Sequence, residues 1–214
     1  RYIINKRRTA FWAVDDFTKP GIEAAGAVSR TWLPKLEKLF MREREGGQQF
    51  LLYLLFPSEA VEKFGAPGVA WVEVDVPLDQ PKLSLSLQWF DKAACRLPEA
   101  LWFSFNPAAA AGHWEINKVG QWVDPLDVVR SGNRHLHACG EGVRWQGQRG
   151  HLRIASLDAA LVAPGQRSLL DFNNRLPRLK EGMHFLLYNN LWGTNFPMWF
   201  EDDMKFRFEV EFGR

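Results

Sequence analysis

The chain has 214 residues and a mass of 24.6 kDa, a length that predicts one domain, or two small ones, able to form a hydrophobic core. Lys and Arg total 27 while Asp and Glu total 25, and this near balance excludes a polybasic nucleic-acid arm and an acidic tail. No apolar run approaches the roughly 20 residues that a membrane-spanning helix needs. The sequence therefore predicts neither nucleic acid nor a membrane as a partner.

The first 30 residues differ in composition from the rest of the chain. A basic cluster at 6–8 is followed by two aspartates and then by Gly- and Ala-rich sequence. We predict that 1–30 is a lead-in segment packed on a domain formed by 31–214. Because the chain opens on Arg1 without an initiator Met or a signal sequence, we expect the C-terminal part of a longer protein. The location is not fixed by the sequence, and of the compartments we favour the cytoplasm.

Apolar and polar residues alternate along most of the remaining chain, which is the period of half-buried strands. The segment 32–41 would suit a helix, but the turn that follows it favours a hairpin into the next apolar run. Further strands are predicted at 11–14, 50–56, 72–76, 83–89, 101–105, 143–145, 152–155, 185–188 and 204–212. Gly and Pro clusters separate these strands at short intervals.

One short helix is predicted at residues 58–64, with Ser58 as its N-cap and Gly65 as its end. The other elements are eight or more antiparallel strands with one apolar face each. Two packed sheets bury such faces most completely. The predicted fold class is therefore all-β, an antiparallel β-sandwich with a single short helix.

The motifs of several enzyme classes are absent, including the nucleophile elbow, the phosphate-binding glycine loop and the dinucleotide fingerprint. No pair of carboxylates has a diagnostic spacing, so we predict no catalytic residue in this chain. Cys95 and Cys139 are too few for a disulfide framework, and although one bridge is possible, reduced thiols are the favoured interpretation.

A possible metal motif is formed by His135 and His137 with Glu141 four residues later. On a strand, residues i and i+2 share a face, so two imidazoles could converge on one ion. The spacing resembles the first metal motif of the cupin family, which implies a metal-dependent enzyme. The alternative is that both histidines bond to the backbone or face solvent.

The unusual content of aromatic residues, ten Trp and sixteen Phe against three Tyr, suggests a carbohydrate site. Sugars present flat C–H faces, which stack on rings, and hydroxyl edges, which bond to amides and carboxylates. Rings and polar groups occur together at Asn189, Asn190, Trp192, Thr194 and Asn195, and again at Trp122 and Asp124. The alternative for the amides is a purely structural role in turns.

The segment 189–196 resembles the Asn-Asn-x-Trp-x-Thr-Asn-aromatic motif near the C-terminus of family 38-type glycoside hydrolases, the α-mannosidase-like group. The resemblance is closest to an uncharacterised branch of that group, a DUF5054-like domain of unknown function. It extends to the segments 12–21, 87–92, 96–100, 120–125 and 132–137. Ala160 departs from it, because the branch has Pro at that place.

The resemblance implies a C-terminal β-sandwich of the galactose-mutarotase-like supersandwich type. In the family, the metal ion and the nucleophilic aspartate belong to an N-terminal domain that this chain lacks. The resemblance therefore implies no cofactor in this chain, a divalent metal in the missing catalytic domain, and that domain and carbohydrate as partners. We expect a non-catalytic accessory domain with an exposed apolar patch where the other domain docks. A free-standing carbohydrate-binding module using Trp192, Asn190 and Asn195 is the alternative.

Overall fold

The computed structural model describes residues 21–107, 112–169, 173–191 and 199–214, and these form two antiparallel sheets with one short helix, α1 (Ser58–Phe64). The strands are β1 (Lys35–Arg44), β2 (Gly47–Leu55), β3 (Val69–Pro77), β4 (Lys82–Lys92), β5 (Ala100–Phe105), β6 (Gly112–Lys118), β7 (Gln121–Val123), β8 (His137–Ala138), β9 (Val143–Gly147), β10 (Gly150–Ser156), β11 (Leu161–Pro164), β12 (Met183–Asn189) and β13 (Asp202–Gly213). The larger sheet has the order β1-β2-β3-β4-β13-β10-β9-β6-β7, and the smaller has β5-β12-β11-β8.

The hydrophobic core lies between the two sheets. Phe208 of β13 is 1% exposed, and its ring centroid lies 5.2 Å from Phe103 of β5 and 5.2 Å from Phe185 of β12. Trp89 of β4 is 2% exposed, and its ring centroid lies 5.5 Å from that of Phe206 with the ring planes tilted by 36°. This packing of one sheet's inner face on the other confirms the predicted all-β sandwich.

The hairpin of β1 and β2, which we call the wing, extends beyond this core. All ten residues of β1 are exposed, and they include Leu36, Leu39 and Met41 at 47%, 57% and 58%. A bulge between Leu36 and Lys38 keeps these three apolar residues on one face, opposite Leu54, Leu52 and Phe50 of β2. The wing thus continues the apolar inner face of the large sheet, and no element among the described residues forms a layer over it.

The structure confirms the hairpin, although its first strand is Lys35–Arg44 rather than 32–41, and it confirms the bounds of the short helix. Gly65 ends α1 in the left-handed conformation, at φ +69°, as predicted. The prediction of Ser58 as N-cap is wrong, because Pro57 occupies that position and no side chain caps the helix. The carbonyl of Pro57 instead accepts the first hydrogen bonds, from the N–H groups of Ala60 and Val61 at 2.9 and 3.2 Å.

Four strands, β6, β7, β8 and β11, are absent from the sequence-based prediction. In β11 the residues Val162 and Ala163 are both fully buried, so the strand has no polar face and no alternation to detect. The predicted strand 11–14 lies outside the described residues. Among the described residues, no helix is long and apolar enough to cross a membrane.

The end of the lead-in segment contacts α1. Arg30 forms an ion pair with Glu59 at 2.5 Å, and the ring of Trp32 lies 4.8 Å from that of Phe64. Residues 1–20 lie outside the described part of the chain, so the division into a lead-in and a sandwich domain stays a prediction.

Candidate functional site

The predicted carbohydrate residues fall into two groups on different sheets. Asn189 and Asn190 stand at the end of β12 in the small sheet, whereas Trp122 lies in β7 at the edge of the large sheet. Trp192, Thr194 and Asn195 lie outside the described residues.

Asn190 is buried, at 6% exposure, and its amide is engaged by the segment before β5. Its Nδ2 donates to the carbonyl oxygens of Cys95 and Leu97 at 2.7 and 2.9 Å, and its Oδ1 accepts from the N–H of Glu99 at 2.7 Å. Three of its four side-chain hydrogen-bonding positions are thereby filled by backbone. Asn190 therefore positions this segment and has little capacity left for a sugar hydroxyl.

Asn189 forms a turn at the end of β12. Its Oδ1 accepts a hydrogen bond from the N–H of Leu191 at 3.3 Å, the geometry of an Asx turn. The side chain is half-buried, so it also borders solvent at this end of the sandwich. Of the two adjacent amides, Asn189 is the one that remains near the surface.

Beside Asn190 lies a buried ion pair that sequence reasoning missed. The Lys92 side chain is 0% exposed, and its Nζ contacts Glu99 Oε1 at 2.7 Å and the carbonyl oxygen of Ala93 at 3.1 Å. The ammonium also lies 5.0 Å from the centroid of the Tyr188 ring. Lys92 and Glu99 fall in the segments 87–92 and 96–100 that carry the resemblance, but nothing in those segments indicates that the two side chains pair.

Tyr188 completes the cluster. Burial, together with the negative charge of Glu99, raises the pKa of the Tyr188 hydroxyl far above its usual value, so it stays protonated. Its ring packs against Phe200 at 5.7 Å. One buried polar cluster thus joins the end of β4, the start of β5 and the end of β12. It fixes the position of the end of β12, where Asn189 lies.

Trp199 presents a ring at this end that is partly open to solvent. It is 36% exposed, and the guanidinium carbon of Arg96 lies 4.2 Å from a ring centroid of the indole. The distance is that of a cation–π contact. A guanidinium beside an exposed indole offers both a stacking surface and hydrogen-bond donors.

Trp122 and Asp124 have their own, separate partners. Arg144 lies 4.6 Å from the Trp122 ring centroid and donates from Nε to Glu115 at 2.6 Å, and this bond lowers the pKa of the Glu115 carboxyl. Asp124 Oδ1 accepts from the N–H of Leu126 at 2.8 Å. Asp124 is thus a turn residue, and the structure does not bring it together with Asn189.

The proposed metal trio does not assemble. Only His137 lies in a strand, so the expectation that both imidazoles share a strand face is wrong. His137 Nδ1 faces Lys118 Nζ at 3.1 Å, His135 Nε2 faces Asn173 Oδ1 at 3.3 Å, and Glu141 pairs with Arg153 at 3.1 Å. No group of three or more potential metal ligands occurs in the part of the chain that the structure describes.

Neither Cys95 nor Cys139 forms a disulfide within the described part of the chain. Cys139 is buried, and burial raises the pKa of its thiol to about 11. Because the thiolate is the nucleophile, a thiol in this state is inert at neutral pH. Cys139 is a residue of the hydrophobic core.

A family model described as "Domain of unknown function (DUF5054)" matches residues 1–84, which is less than half of the chain. The match begins in the lead-in segment and ends in β4, so it includes the wing and α1. All of the predicted carbohydrate and metal residues lie beyond it. No curated protein matches the chain.

Proposed function

We propose that the chain is a non-catalytic accessory β-sandwich of an α-mannosidase-like glycoside hydrolase, and that the wing docks on the catalytic domain. The observation that carries this proposal is the uncovered apolar face of β1. The sequence resemblance supplies the identity of the partner, and the match to DUF5054 agrees with the uncharacterised branch.

The wing has the properties of an interface. Leu39, Leu52 and Val72 lie side by side across β1, β2 and β3, and the exposed fraction falls from 57% at Leu39 to 5% at Val72. A contiguous apolar surface that continues a core is typical of a docking surface. A domain seated on the wing would extend that core to β1.

The carbohydrate part of the proposal concerns the Asn190 end of the sandwich. There the Lys92–Glu99 pair and the Asn190 amide hold the end of β12 against the segment before β5, and Trp192 follows Asn190 by two positions in the sequence. On the proposed function, Trp192, Thr194 and Asn195 lie at the rim of the sugar site of the neighbouring domain.

Hydrogen exchange tests the docking. We expect the amides of β1 to exchange rapidly in the 214-residue chain and to be protected in the longer polypeptide that includes the upstream coding sequence. Leu39→Ser should abolish that protection, whereas Phe40→Ser, on the opposite face of β1, should preserve it. An unchanged exchange rate in the longer polypeptide would contradict the docking.

Turnover of an aryl α-mannoside tests the assignment of activity. We expect hydrolysis by the longer polypeptide and none by the 214-residue chain. Hydrolysis by the 214 residues alone would show that the chain is itself an enzyme and would overturn the accessory role.

A free-standing carbohydrate-binding module is the second candidate, favoured by an aromatic pair on the outer face of the large sheet. Tyr53 and Trp71 are cross-strand neighbours with ring centroids 4.7 Å apart, and Gln88 and Lys205 continue their row. If this candidate is right, the 214-residue chain binds a glycan on an array, and Trp71→Ala or Trp192→Ala abolishes that binding. An array with no binding excludes it.

A further inference from the structure

A pocket of about 280 Å³ lies beside the end of β11 and the segment that leads into β12. Its lining comes from four segments: His135, the pair Gly165 and Gln166, the loop 173–178, and Glu181. This end of the small sheet is opposite the one that carries Asn190. The pocket is therefore separate from the carbohydrate residues predicted from the sequence.

His135 anchors one wall of the pocket. It is 3% exposed, and its Nε2 lies 3.3 Å from Asn173 Oδ1, which also accepts from the N–H of Arg175 at 2.8 Å. Because an amide oxygen only accepts, we assign the imidazole proton to Nε2. The buried imidazole thus fixes the start of the loop that carries Arg175.

Arg134 supplies a second anchor beneath the same loop. It is 6% exposed, and its guanidinium donates to the carbonyl oxygens of Val128, Val129 and Asn174 at 3.0, 3.1 and 3.4 Å. The N–H of Ser131 donates to Asn174 Oδ1 at 2.7 Å. The loop is therefore tied to the interior by buried side chains, although several of its own residues are exposed.

Gly165 fixes the opposite wall. It has φ +75°, and a Cβ at this position would lie 2.7 Å from the backbone nitrogen and oxygen of Arg178. Its N–H donates to the carbonyl oxygen of Gly182 at 2.8 Å. Only glycine permits this approach, which sets the position of Arg178 relative to β11.

The charge at the rim is positive. Arg178 is paired with Glu181 at 2.9 Å, whereas Arg175 is exposed and forms no ion pair with any residue in the described ranges. Guanidinium groups bind carboxylates and phosphates through paired hydrogen bonds. The volume lies just under the roughly 300 Å³ at which drug-sized ligand pockets begin, which favours a ligand the size of one sugar ring.

We propose that this pocket binds a single sugar ring that carries an oxyanion, either a carboxylate or a phosphate. Arg175, which has no ion-pair partner in the described ranges, provides a cation for the oxyanion, and Arg178, oriented by Glu181, provides a second donor. Gln166 and the loop backbone face the hydroxyl groups. This site does not depend on docking of the wing.

Calorimetric titration of the 214-residue chain with glucuronate, glucose 6-phosphate, glucose and inorganic phosphate tests the proposal. We expect at least one anionic sugar to bind at least about tenfold more tightly than either glucose or phosphate. Arg175→Gln should weaken that binding at least about tenfold. Arg149→Gln, the same charge change in the exposed turn between β9 and β10, should leave it unchanged.

A response to one anionic sugar alone supports the proposal and identifies the oxyanion. Phosphate binding as tightly as glucose 6-phosphate, an equal loss in both variants, or no binding of either anionic sugar overturns it. Circular dichroism verifies that the Arg175 variant is folded. Because these measurements do not involve β1, their failure leaves the proposed docking untouched, and failure of the docking leaves this site untouched.

Discussion

The wing and the covered centre of the large sheet share one pattern but differ in burial. A single row of side chains runs from Leu39 in β1 through Leu52 and Val72 to Leu87 in β4 and Phe206 in β13. Leu39 is 57% exposed, whereas Leu87 and Phe206 are 7% and 5% exposed. The alternation of apolar residues therefore identifies the inner face of a strand but does not show whether a second sheet covers it.

This difference has an energetic consequence. Burial of a leucine side chain contributes roughly 1.5–3 kcal/mol relative to leaving it in water. Leu87 receives this contribution from the opposing sheet, and Leu39 receives little of it within this chain. A second surface that covers β1 would explain why this strand carries apolar residues at exposed positions. This is the basis of the proposed docking.

The largest expected effect tests this comparison directly with one substitution at two places in the same row. Leu87→Ala should lower the free energy of unfolding by about 2–4 kcal/mol, because it leaves a cavity between the sheets. Leu39→Ala should change it by less than about 0.5 kcal/mol. Urea unfolding of the 214-residue chain measures both, and equal losses would contradict the view that the wing is uncovered.

Ion pairs provide a second contrast between buried and exposed positions. Glu99→Gln leaves Lys92 buried without its partner charge, so we expect a loss of about 3 kcal/mol in unfolding free energy. The matched variant Glu211→Gln removes an exposed partner of Arg153 and should cost less than about 0.5 kcal/mol. A small loss in Glu99→Gln would mean that Lys92 reaches water, contrary to its complete burial.

The small sheet that covers the core should respond to pH through two histidines. Burial lowers the pKa of His137, with a further contribution from Lys118, and burial also lowers the pKa of His184. The unfolded chain therefore binds protons first, and stability is lost as pH falls below about 6.5.

Each of the two histidines should contribute up to about 1.4 kcal/mol of lost stability per pH unit while it stays neutral in the folded state. Urea unfolding at pH 6.5 and 5.5 measures this change, and NMR titration of the imidazoles assigns it. Titration of either ring at or above pH 6.5 in the folded chain would contradict the prediction.

Sequence periodicity could predict much of the fold, because most strands bury one face only. Met204 to Phe212 and Leu83 to Trp89 follow this rule, and both segments are central strands of the large sheet. β11 could not be found in this way, because Val162 and Ala163 are buried on both faces. The order of strands across the sheets also depends on long-range pairing that no local pattern encodes.

The candidate site was less predictable than the fold. The sequence indicated Asn190 as a residue of interest, but its amide serves the backbone of 95–99, which lies about 90 positions away in the chain. The Lys92–Glu99 pair and the pocket beside His135 arise from segments that meet only in the folded protein. Residue type alone does not separate a ligand-binding amide from a structural one, because both need the same donors and acceptors.

The smallest expected effect concerns the surface of the wing itself. Met41→Ser should change the free energy of unfolding by less than about 0.5 kcal/mol, because Met41 is 58% exposed. The same variant should nevertheless lower the fluorescence of a dye that binds apolar surface, since Met41 joins Leu39 and Phe50 in one patch. Phe40→Ser is the control, because Phe40 is also well exposed, at 50%, but lies on the other face in the row of Leu51 and Glu73. A larger loss of dye binding in Phe40→Ser than in Met41→Ser would indicate that the docking surface is the outer face. An equal loss in the two variants would contradict the view that the inner face of the wing is the apolar surface.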